Sequence, residues 1–447
     1  MAESFDVIIV GAGPAGLATA YHLLQLAPTR LNRPLSVCIL EKGSRVGAHL
    51  LSGALVATEN TLVEQWPGLS TCPQVHQHSA RWLTRHGSIA LPSLKPWHHD
   101  GKRILSLSRL CQWLAQQVEQ LGGIILPGLA GRQLLWEGQR LTGVVTAAKA
   151  DESDAIALTA PVTVLAEGCR GFLSQQMIER MGLDQGRCPQ TYGLALREVW
   201  QVRNSRPGHV LHTLGWPCAS NVYGGGFLYH LDPHHLALGL VVGLDYRDPQ
   251  LSPFNLLQRW KGHPLIQAEI ENGQLLGYGA RTVVSGGWHS LPQLVIDGGL
   301  LVGDAAGLFD VPRLQGVAHA LQSGRLAAET ILDGRLPSYH QTILTSAIGR
   351  SLWRHRNIRT GFRSHSAVGL INAAWEGLTG GCSPWHWRWH QSDRQRLQRP
   401  QPHQPQPIDR PSGLDRSSAL AYSGLRYNAQ QPCHLHVSDQ RRHCHDD

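Results

Sequence analysis

The stretch Phe5-Asp6-Val7-Ile8-Ile9-Val10-Gly11-Ala12-Gly13-Pro14-Ala15-Gly16 decides the fold of this chain. Its β-branched run is typical of a buried parallel strand, and the apolar residues that follow it at helical spacing predict a helix. Gly11, Gly13 and Gly16 have the G-x-G-x-x-G spacing: the first permits a tight turn, the second lets backbone approach a pyrophosphate, and the third lets helix and strand pack closely. Strand, glycine turn and helix therefore predict a dinucleotide site.

A second apolar run, Ser36–Leu40, predicts the next parallel strand and completes a βαβ unit over residues 6–41. Glu41 ends this strand, where a carboxylate accepts hydrogen bonds from the ribose hydroxyls of an adenosine. An ordinary surface glutamate is the alternative.

Two later segments indicate which dinucleotide is bound. Gly303 and Asp304 follow an apolar strand and precede a helix predicted over residues 315–333. A carboxylate there can hold ribityl hydroxyls while helix N–H groups face phosphate or flavin, which a simple NAD enzyme does not need. The segment 166–171, which contains Gly168, has the form of a further contact loop on the adenine side. The alternative is an ordinary turn with an N-capping acid. We therefore expect FAD.

Composition excludes several classes of protein. The 447 residues are 42% hydrophobic and only 16% charged, with a net charge of +8, which excludes a fibrous chain and a general nucleic-acid footprint. No apolar run reaches the roughly 18 residues of a membrane-spanning helix. The first strand begins too early for a signal peptide, and an odd count of nine cysteines favours reduced thiols, so we expect a bacterial protein on the cytosolic side.

Several motifs in the same order closely resemble the electron-transfer flavoprotein:ubiquinone oxidoreductase family over about residues 4–437. They include Gly47-Ala48-His49-Leu50-Leu51-Ser52-Gly53-Ala54, Pro189-Gln190-Thr191-Tyr192-Gly193, Tyr223-Gly224-Gly225-Gly226-Phe227-Leu228-Tyr229-His230 and Tyr278-Gly279-Ala280-Arg281. The resemblance implies an enzyme of the respiratory chain at a membrane surface. It would take electrons from reduced electron-transfer flavoprotein and pass them to ubiquinone, using FAD and one [4Fe-4S] cluster.

The resemblance also implies the fold class and the domains. We expect an α/β chain with a Rossmann-like FAD-binding domain of the hydroxylase and geranylgeranyl-reductase type and an inserted antiparallel β-sheet domain that binds ubiquinone. The FAD-binding domain takes residues 1–75, 100–175 and 281–340, and the ubiquinone-binding domain takes 76–99 and 176–280. A helical membrane-contact region over 341–397 and a tail rich in Pro, Gln, His and Arg over 398–447 follow.

Site residues are assigned by position. The residues expected to contact FAD are Gly11, Gly13, Pro14, Ala15, Gly16, Glu41, Lys42, Gly47, Gly168, Gly303, Asp304 and Gly316. Gly224 and Gly225 would lie against the quinone ring, because a missing side chain lets a flat ligand approach backbone. His49 and Ser52 match the loop expected near the flavin and the quinone entrance. A strand corner and a packed turn are the structural alternatives. We expect no catalytic side chain, because flavin itself carries the electrons.

Two apolar runs with tryptophan, 50–69 and 367–387, suit contact with a membrane interface. An arginine-rich stretch without acidic residues lies between Asp333 and Glu376, and it would be drawn to anionic lipid headgroups. A solvated helix face is the alternative explanation of these arginines. We expect a peripheral protein on the cytoplasmic face of a bacterial inner membrane.

The sequence departs from the family at three places. The family's iron-sulfur module carries a cysteine and a later Cys-x-x-Cys-x-x-Cys run, and Cys433 and Cys444 do not match it, so we predict that no cluster and no other metal binds. Gly303-Asp304 replaces the Gly-Cys that most of the family has. His319 is shifted by one position from the family's histidine, which turns it by about 100° around a helix.

Two other functions stay open from the sequence. One is an NAD(P)H-dependent flavin reductase or hydroxylase that acts on isoprenoid or aromatic compounds, which Gly303-Asp304 permits. The other is an inactive, truncated product that binds FAD and turns nothing over.

Overall fold

The computed structural model describes residues 3–48, 50, 53–57, 61–92, 99, 101–147 and 155–397. The strands in these residues are β1 Glu3–Ser4, β2 Val7–Val10, β3 Val37–Glu41, β4 Ala54–Val56, β5 Gln77–Leu83, β6 Ser88–Ala90, β7 Arg103–Leu105, β8 Ile124–Pro127, β9 Ala130–Glu137, β10 Arg140–Ala147, β11 Ala157–Thr159, β12 Val162–Leu165, β13 Tyr192–Gln201, β14 His209–Gly215, β15 Gly224–Asp232, β16 His235–Gly243, β17 Gln274–Val284, β18 Val295–Ile296 and β19 Gly299–Leu301.

The α-helices are α1 Pro14–Leu31, α2 Thr61–Glu64, α3 Leu107–Gln120, α4 Phe172–Met181, α5 Pro253–Lys261, α6 Pro264–Ile270, α7 Gly316–Leu332, α8 Tyr339–Thr345, α9 Ala347–Arg354, α10 Ile358–Gly361, α11 Ser366–Thr379 and α12 Asp393–Arg396. Short 3₁₀ turns include Gly303–Ala306. Within the described residues, none of the helices combines the length and the apolar character that crossing a membrane requires.

The expected α/β nucleotide-binding fold is confirmed. A six-stranded sheet has the order β18-β19-β12-β2-β3-β8, and β2 pairs in parallel with both β3 and β12. Each residue of β2 is buried, as its β-branched run requires. Helix α1 has Pro14 in its first turn, where the missing N–H costs nothing, and it packs on α7 at one face of the sheet.

The inserted domain is a seven-stranded sheet in the order β17-β13-β16-β15-β14-β5-β6. The expectation of a purely antiparallel sheet is wrong at one pair, because β5 runs parallel to β14. β5 is reached from the nucleotide-binding fold and enters the sheet in the same direction as β14, so no hairpin joins the two strands. The last strand, β17, continues to Val284 and so passes residue 280, where the sequence suggests that the domain ends.

Helices α5 and α6 cover one face of this sheet. Trp260 of α5 is fully buried, and its indole N–H donates to the hydroxyl of Thr213 on β14 at 2.9 Å. On the same helix, the buried Lys261 ammonium lies 2.9 Å from the carboxylate of Glu198 on β13. A buried charge of this kind is tolerated because its partner is within hydrogen-bond distance.

Two structural expectations about membrane contact are corrected. In the run 50–69, Leu62, Val63 and Trp66 are buried in the core around the six-stranded sheet, so these side chains do not face outward. Three of the arginines expected at a lipid surface, Arg356, Arg359 and Arg363, are also buried. Carboxylate and backbone carbonyl partners from distant parts of the chain compensate the burial of these arginines. The same bonds join the elements of the helical region.

The main long-range partner is Asp245, at the end of the seven-stranded sheet. The guanidinium of Arg359 donates to its carboxylate at 2.8 Å, and Arg363 lies 3.5 Å from the other oxygen. Arg356 instead donates to the backbone carbonyls of Gly381 and Ser383. The arginine-rich segment thus anchors helices α10 and α11 to the sheet.

Candidate functional site

In the glycine corner, Gly11–Gly16, two of the three glycines are required for steric reasons and the third is accessible to a ligand. Gly11 has a φ of +108°, and a Cβ there would lie 2.4 Å from the carbonyl oxygen of Ala166. A Cβ on Gly16 would lie 2.0 Å from the carbonyl oxygen of Gly11. A Cβ on Gly13 would meet no atom of the described residues within 4 Å. Gly11 and Gly16 are therefore required by the fold, whereas Gly13 is open toward the position of a pyrophosphate.

The Glu41 carboxylate holds the glycine corner from the neighbouring strand. One oxygen accepts the backbone N–H of Ala12 at 2.9 Å, and the other accepts the N–H of Gly43 at 2.7 Å. Each carboxylate oxygen has a second lone pair, so these two bonds leave acceptor capacity for ribose hydroxyls. Lys42, between Glu41 and Gly43 in the chain, is exposed. The predicted ribose contact is compatible with this geometry and stays a prediction.

Gly47 lies against the beginning of α3. Its φ is +82°, and a Cβ there would lie 2.7 Å from the hydroxyl oxygen of Ser108. That hydroxyl donates to the carbonyl of Gly47 at 3.0 Å. The contact gives this glycine a packing reason that is independent of any cofactor.

The turn between β12 and α4 contains the capping acid that the sequence leaves as an alternative. Glu167 accepts the backbone N–H groups of Leu173 and Ser174, at 3.2 and 2.7 Å, in the first turn of α4. The carboxylate of Glu167 therefore caps the N-terminus of α4. Gly168 has a φ of +83°, and a Cβ there would lie 3.2 Å from a guanidinium nitrogen of Arg281.

Asp304 lies in the 3₁₀ turn after β19 and close to α1. Gly303 precedes it with a φ of +59°, and a Cβ on Gly303 would lie 2.9 Å from the Cβ of Ala15. Burial raises the pKa of the Asp304 carboxyl, while the charges of Arg281 and His319 oppose this rise. The turn brings this carboxyl group close to α1, which begins at the glycine corner, and we call the space between Gly11–Gly16 and Asp304 the nucleotide crevice.

Helix α7 begins at Gly316, where the backbone passes Phe309 closely: a Cβ on Gly316 would lie 3.0 Å from that ring. His319, in the first turn, is buried, and its Nδ1 donates to the carbonyl of Leu308 at 2.8 Å. This fixes the tautomer when the ring is neutral, with Nε2 as the acceptor. The shifted histidine therefore faces a definite hydrogen-bond partner within the fold.

Arg281 is a candidate functional residue that the sequence alone does not assign to the site. It is exposed on β17, in the other domain, yet it approaches Gly168 and influences the pKa of Asp304. Only the fold brings it there. A cation at this edge of the crevice favours negative charge on a bound group.

The geometry around Gly11–Gly16 fits FAD. The N-terminus of the 18-residue helix α1 points from Gly13 into the crevice, where its N–H groups favour a pyrophosphate. Glu41 ends β3 and Asp304 lies shortly after β19, and these two strands run parallel in the same sheet, as an extended dinucleotide requires.

The quinone residues assigned by resemblance divide into two groups. His49 and Ser52 lie outside the described residues. Gly224 and Gly225 begin β15, where a Cβ would lie 2.7 Å from the carbonyl oxygen of Val241 and 2.6 Å from that of Thr213, respectively. Close contact with the neighbouring strands therefore explains why both residues are glycines. This is the structural alternative that the sequence leaves open.

Gly224 also lines a cleft of about 220 Å³. The cleft is largely apolar and aromatic, with walls that include Trp82, Trp216, Tyr223, Phe362 and Ser366. Ser366 begins α11, and its N–H donates to the carbonyl of Ser220 in the cleft wall. The cleft thus lies between the seven-stranded sheet and the helical region.

The predicted lack of an iron-sulfur cluster concerns cysteines that the structure does not describe. Cys433 and Cys444 both lie outside the described residues. The thiols within them are Cys38, Cys72, Cys111, Cys169, Cys188, Cys218 and Cys382. Burial raises the pKa of the Cys111 and Cys218 thiols to about 12, which makes these two poor metal ligands.

Comparison with known protein families matches two regions. A family model described as "ETF-QO, ubiquinone-binding" matches residues 192–283, which cover β13–β17. A model described as "FAD dependent oxidoreductase" matches residues 6–59, which contain the glycine corner. The match to a ubiquinone-binding region therefore falls on the seven-stranded sheet.

Curated relatives align along almost the entire chain. The mitochondrial electron transfer flavoprotein-ubiquinone oxidoreductase of Oryza sativa is 38% identical over 98% of this chain and 80% of its own length. The human protein of the same name is 36% identical over 98% of this chain and 77% of its own length.

Solved structures share the fold at low sequence identity. A geranylgeranyl bacteriochlorophyll reductase-like protein from Thermoplasma acidophilum has a TM-score of 0.66 and 17% identity, over 85% of this chain and 96% of its own. A myxobacterial chondrochloren halogenase, described as FAD-dependent, has a TM-score of 0.60 and 19% identity, over 86% of this chain and 91% of its own.

Proposed function

Because the chain belongs to the electron transfer flavoprotein-ubiquinone oxidoreductase family, we propose that it oxidises reduced electron transfer flavoprotein and reduces ubiquinone. The chain is an FAD-dependent oxidoreductase. One observation carries the proposal: an FAD-type glycine corner and a ubiquinone-binding sheet occur in one chain, and an aromatic cleft opens at the glycines of that sheet.

The chain's own residues would bind and orient FAD, which supplies the redox chemistry when bound. The N-terminus of α1 at Gly13 would hold the pyrophosphate, and the Glu41 carboxylate would hold a ribose. Asp304 would face the ribityl chain, and Arg281 would favour negative charge at the same edge. The remaining contacts follow the same assignment: Gly11, Pro14, Ala15, Gly16, Lys42, Gly47, Gly168, Gly303 and Gly316.

The cleft at Gly224 has the chemistry that a quinone ring and its isoprenoid tail need. Ligand sites of this class are concave and apolar, with few polar groups. Trp216, Tyr223 and Phe362 supply flat apolar surfaces, and the glycine backbone allows close approach of a ring. We assign this cleft to the quinone, whereas the roles of His49 and Ser52 stay predictions.

Helix α11 presents an exposed apolar face next to the cleft. The face consists of Val368, Ile371, Trp375 and Leu378, which are spaced along one side of the helix and are 43%, 73%, 47% and 84% exposed. A patch of this kind marks an interaction surface. Because α11 begins at the cleft wall, lipid against this face would put a membrane-dissolved quinone beside its site.

The cationic surface near this face is smaller than the sequence suggests. Arg356, Arg359 and Arg363 are buried, but Arg350 and Arg354 are exposed, and Arg354 lies beside Gly381 just beyond the end of α11. Exposed arginines near an apolar face favour anionic lipid. We therefore propose peripheral attachment through α11, with the cytoplasmic face of a bacterial inner membrane as the predicted location.

The direct test is anaerobic mixing of the FAD-loaded full chain with reduced electron transfer flavoprotein, followed by a water-soluble ubiquinone analogue. The flavin absorbance should bleach with the first reagent and return with the second. A flavin that NADPH reduces rapidly, and that the donor flavoprotein leaves oxidised, would contradict the proposal and favour a reductase or hydroxylase. A flavin that neither the donor flavoprotein nor NADPH reduces would identify an inactive product.

A further inference from the structure

Three histidine rings converge on one face of the seven-stranded sheet. They belong to His78 on β5, His99, which precedes β7, and His212 on β14; His99 is buried and the other two are partly buried. β5 and β14 pair in parallel with His78 opposite Val210, so the side chains of His78, Val210 and His212 lie on the same face. That face packs on the ribbon of β4 and β7, because Val210 belongs to one apolar cluster with Leu55 of β4.

The rings have the separations that a shared tetrahedral metal ion imposes. One nitrogen from each ring lies within 4.8 Å of the other two, and His78 Nε2 lies 2.9 Å from His212 Nδ1. The ring centroids are 4.9, 5.1 and 5.2 Å apart. Imidazoles that bind one tetrahedral ion at Zn–N distances of about 2.0–2.1 Å have their centroids about 5 Å apart. Small displacements therefore suffice for the three rings to hold one ion.

Partners on the outer side of two rings fix their orientation. His212 Nε2 lies 2.9 Å from the hydroxyl oxygen of Tyr229, which is buried on β15. His99 Nδ1 lies 3.0 Å from Nζ of the buried Lys102. Both contacts leave the other ring nitrogen, Nδ1 of His212 and Nε2 of His99, for the common centre. Histidines that bind a metal typically have such a partner on their second nitrogen.

The competing interpretation is a histidine cluster that hydrogen bonds hold together without an ion. His78 and His212 can share a proton across their 2.9 Å contact. Among the described residues, however, the hydrogen bond of the His99 ring is with Lys102 and not with either of the other two rings. Hydrogen bonds between rings thus connect two of the three histidines, whereas an ion connects all three.

The charges around the rings affect the ion in opposite directions. Burial lowers the pKa of His99 and of His212, so protons compete little for the ring lone pairs that a metal needs. Lys102 and Arg313 face His99, and their positive charges oppose a dication. Asp310 faces Lys102 and compensates part of this charge. We therefore expect that Lys102 limits the affinity of the site.

We propose that His78, His99 and His212 bind one divalent transition-metal ion of the kind that prefers imidazole, such as Zn²⁺. Three protein ligands leave the fourth tetrahedral position to a water molecule. The ion would tie β5 and the residues before β7 to β14. His78 and His212 are 134 positions apart in the chain, so no short spacing marks this site, and the sequence alone leads to the expectation that no metal binds.

The first test counts bound ions in the full chain. The protein is stripped with a chelator and titrated with Zn²⁺ by calorimetry. His99→Gln removes one ligand, and His234→Gln is the matched control, because His234 is exposed and lies outside the cluster. The chain has 25 histidines, so only the difference between variants is informative. We expect His99→Gln to bind one equivalent fewer than the wild type and the control. Equal stoichiometry in all three proteins would overturn the proposal.

Two further variants keep all three ligands, so they test the site even if His99→Gln does not fold. Tyr229→Phe removes the hydroxyl bonded to His212, and we expect it to weaken Zn²⁺ binding by about tenfold or more. Lys102→Gln removes the opposing charge and keeps an atom that can accept a hydrogen bond from His99, so it should strengthen binding by about tenfold. Tyr21→Phe, whose hydroxyl lies outside the cluster, should match the wild type. Unchanged affinity in both Tyr229→Phe and Lys102→Gln would overturn the proposal.

Thermal unfolding adds a readout that depends on the folded site. An ion held by three separate segments stabilises the folded chain by mass action. Excess Zn²⁺ should raise the unfolding midpoint of the wild type by about 2–5 °C and leave that of His99→Gln unchanged. An equal rise in both proteins, or no rise in the wild type, would overturn the proposal. These measurements use neither quinone nor donor flavoprotein, so their outcome does not depend on the proposed function.

Discussion

The glycine corner and the seven-stranded sheet place polar chemistry by opposite means. At Gly11–Gly16 the backbone itself faces the ligand site. Side chains are excluded at Gly16 and Gly11, because carbonyl oxygens lie only 2.0 and 2.4 Å from where their Cβ atoms would be. In the sheet domain, the buried carboxylates of Glu198 and Asp245 place the charge, and each depends on a partner from a distant segment of the chain. Local sequence specifies the first kind of site, and tertiary pairing specifies the second.

The largest effect is expected at the corner. Gly11→Ala should destabilise the FAD-free protein by about 5 kcal/mol and abolish flavin binding, because its Cβ clashes with backbone at a positive φ. Gly122→Ala is the matched control: its φ is +88°, but no described atom lies within 4 Å of its Cβ. The control should cost only about 1 kcal/mol of strain in urea unfolding. Equal losses would refute the steric account.

In the sheet, a lost partner should be nearly as costly. Asp245→Asn removes the charge that compensates the buried Arg359 and Arg363, and breaking such a pair costs about 3–5 kcal/mol. Asp333→Asn, which breaks exposed pairs with Arg30 and Arg335, should leave the unfolding midpoint unchanged. Similar midpoints for both variants would show that the buried cluster contributes nothing.

The apolar face of α11 sharpens the comparison, because its side chains are 43–84% exposed among the described residues, in contrast to the buried arginines of the same region. Ile371→Asp should reduce binding to anionic vesicles by about tenfold, since a large apolar side chain contributes about 1.5–3 kcal/mol when it leaves water. Ile89→Asp is the control, with a residue 63% exposed on β6. Co-sedimentation measures both. Equal binding of the two variants would exclude α11 as the membrane face.

The smallest effect concerns the carboxyl group of Asp393, whose burial is only partly compensated by nearby positive charge. Burial and the nearby Asp245 raise the pKa of Asp393 to about 7. Folding therefore takes up a proton between about pH 4 and 7, and this group costs stability as the pH rises through that range. Asp393→Asn should stabilise the protein by on the order of 2 kcal/mol at pH 8 and by almost nothing at pH 5. Thermal unfolding at both values checks the sign; a larger gain at pH 5 would contradict it.

The sequence predicts the βαβ unit well because its signals are local. The β-branched run, the glycine spacing and Glu41 all lie within residues 6–41, and the structure has this strand, turn, helix and strand in that order. The parallel pairing of β5 with β14 is not local, since it joins residues more than a hundred positions apart. His78 of β5 and His212 of β14 come within 2.9 Å of each other through that pairing.

Charge patterns in particular mislead when their partners are distant. The arginines of residues 356–363 suggest a lipid-facing surface, but Asp245 lies 114 positions from Arg359 in the chain and draws it into the interior. Arg281 shows the reverse case, since an exposed arginine of the sheet domain reaches the nucleotide crevice. Neither contact has a local signal in the sequence.

The central claim is that FAD lies across the glycine corner, and Gly13→Ala tests it most directly. The added methyl group meets no described protein atom within 4 Å, so it acts on the ligand alone. FAD titration should show an affinity at least about tenfold weaker than that of the wild type, with an unchanged unfolding midpoint of the FAD-free protein. Unchanged affinity in a variant of unchanged stability would place the cofactor elsewhere.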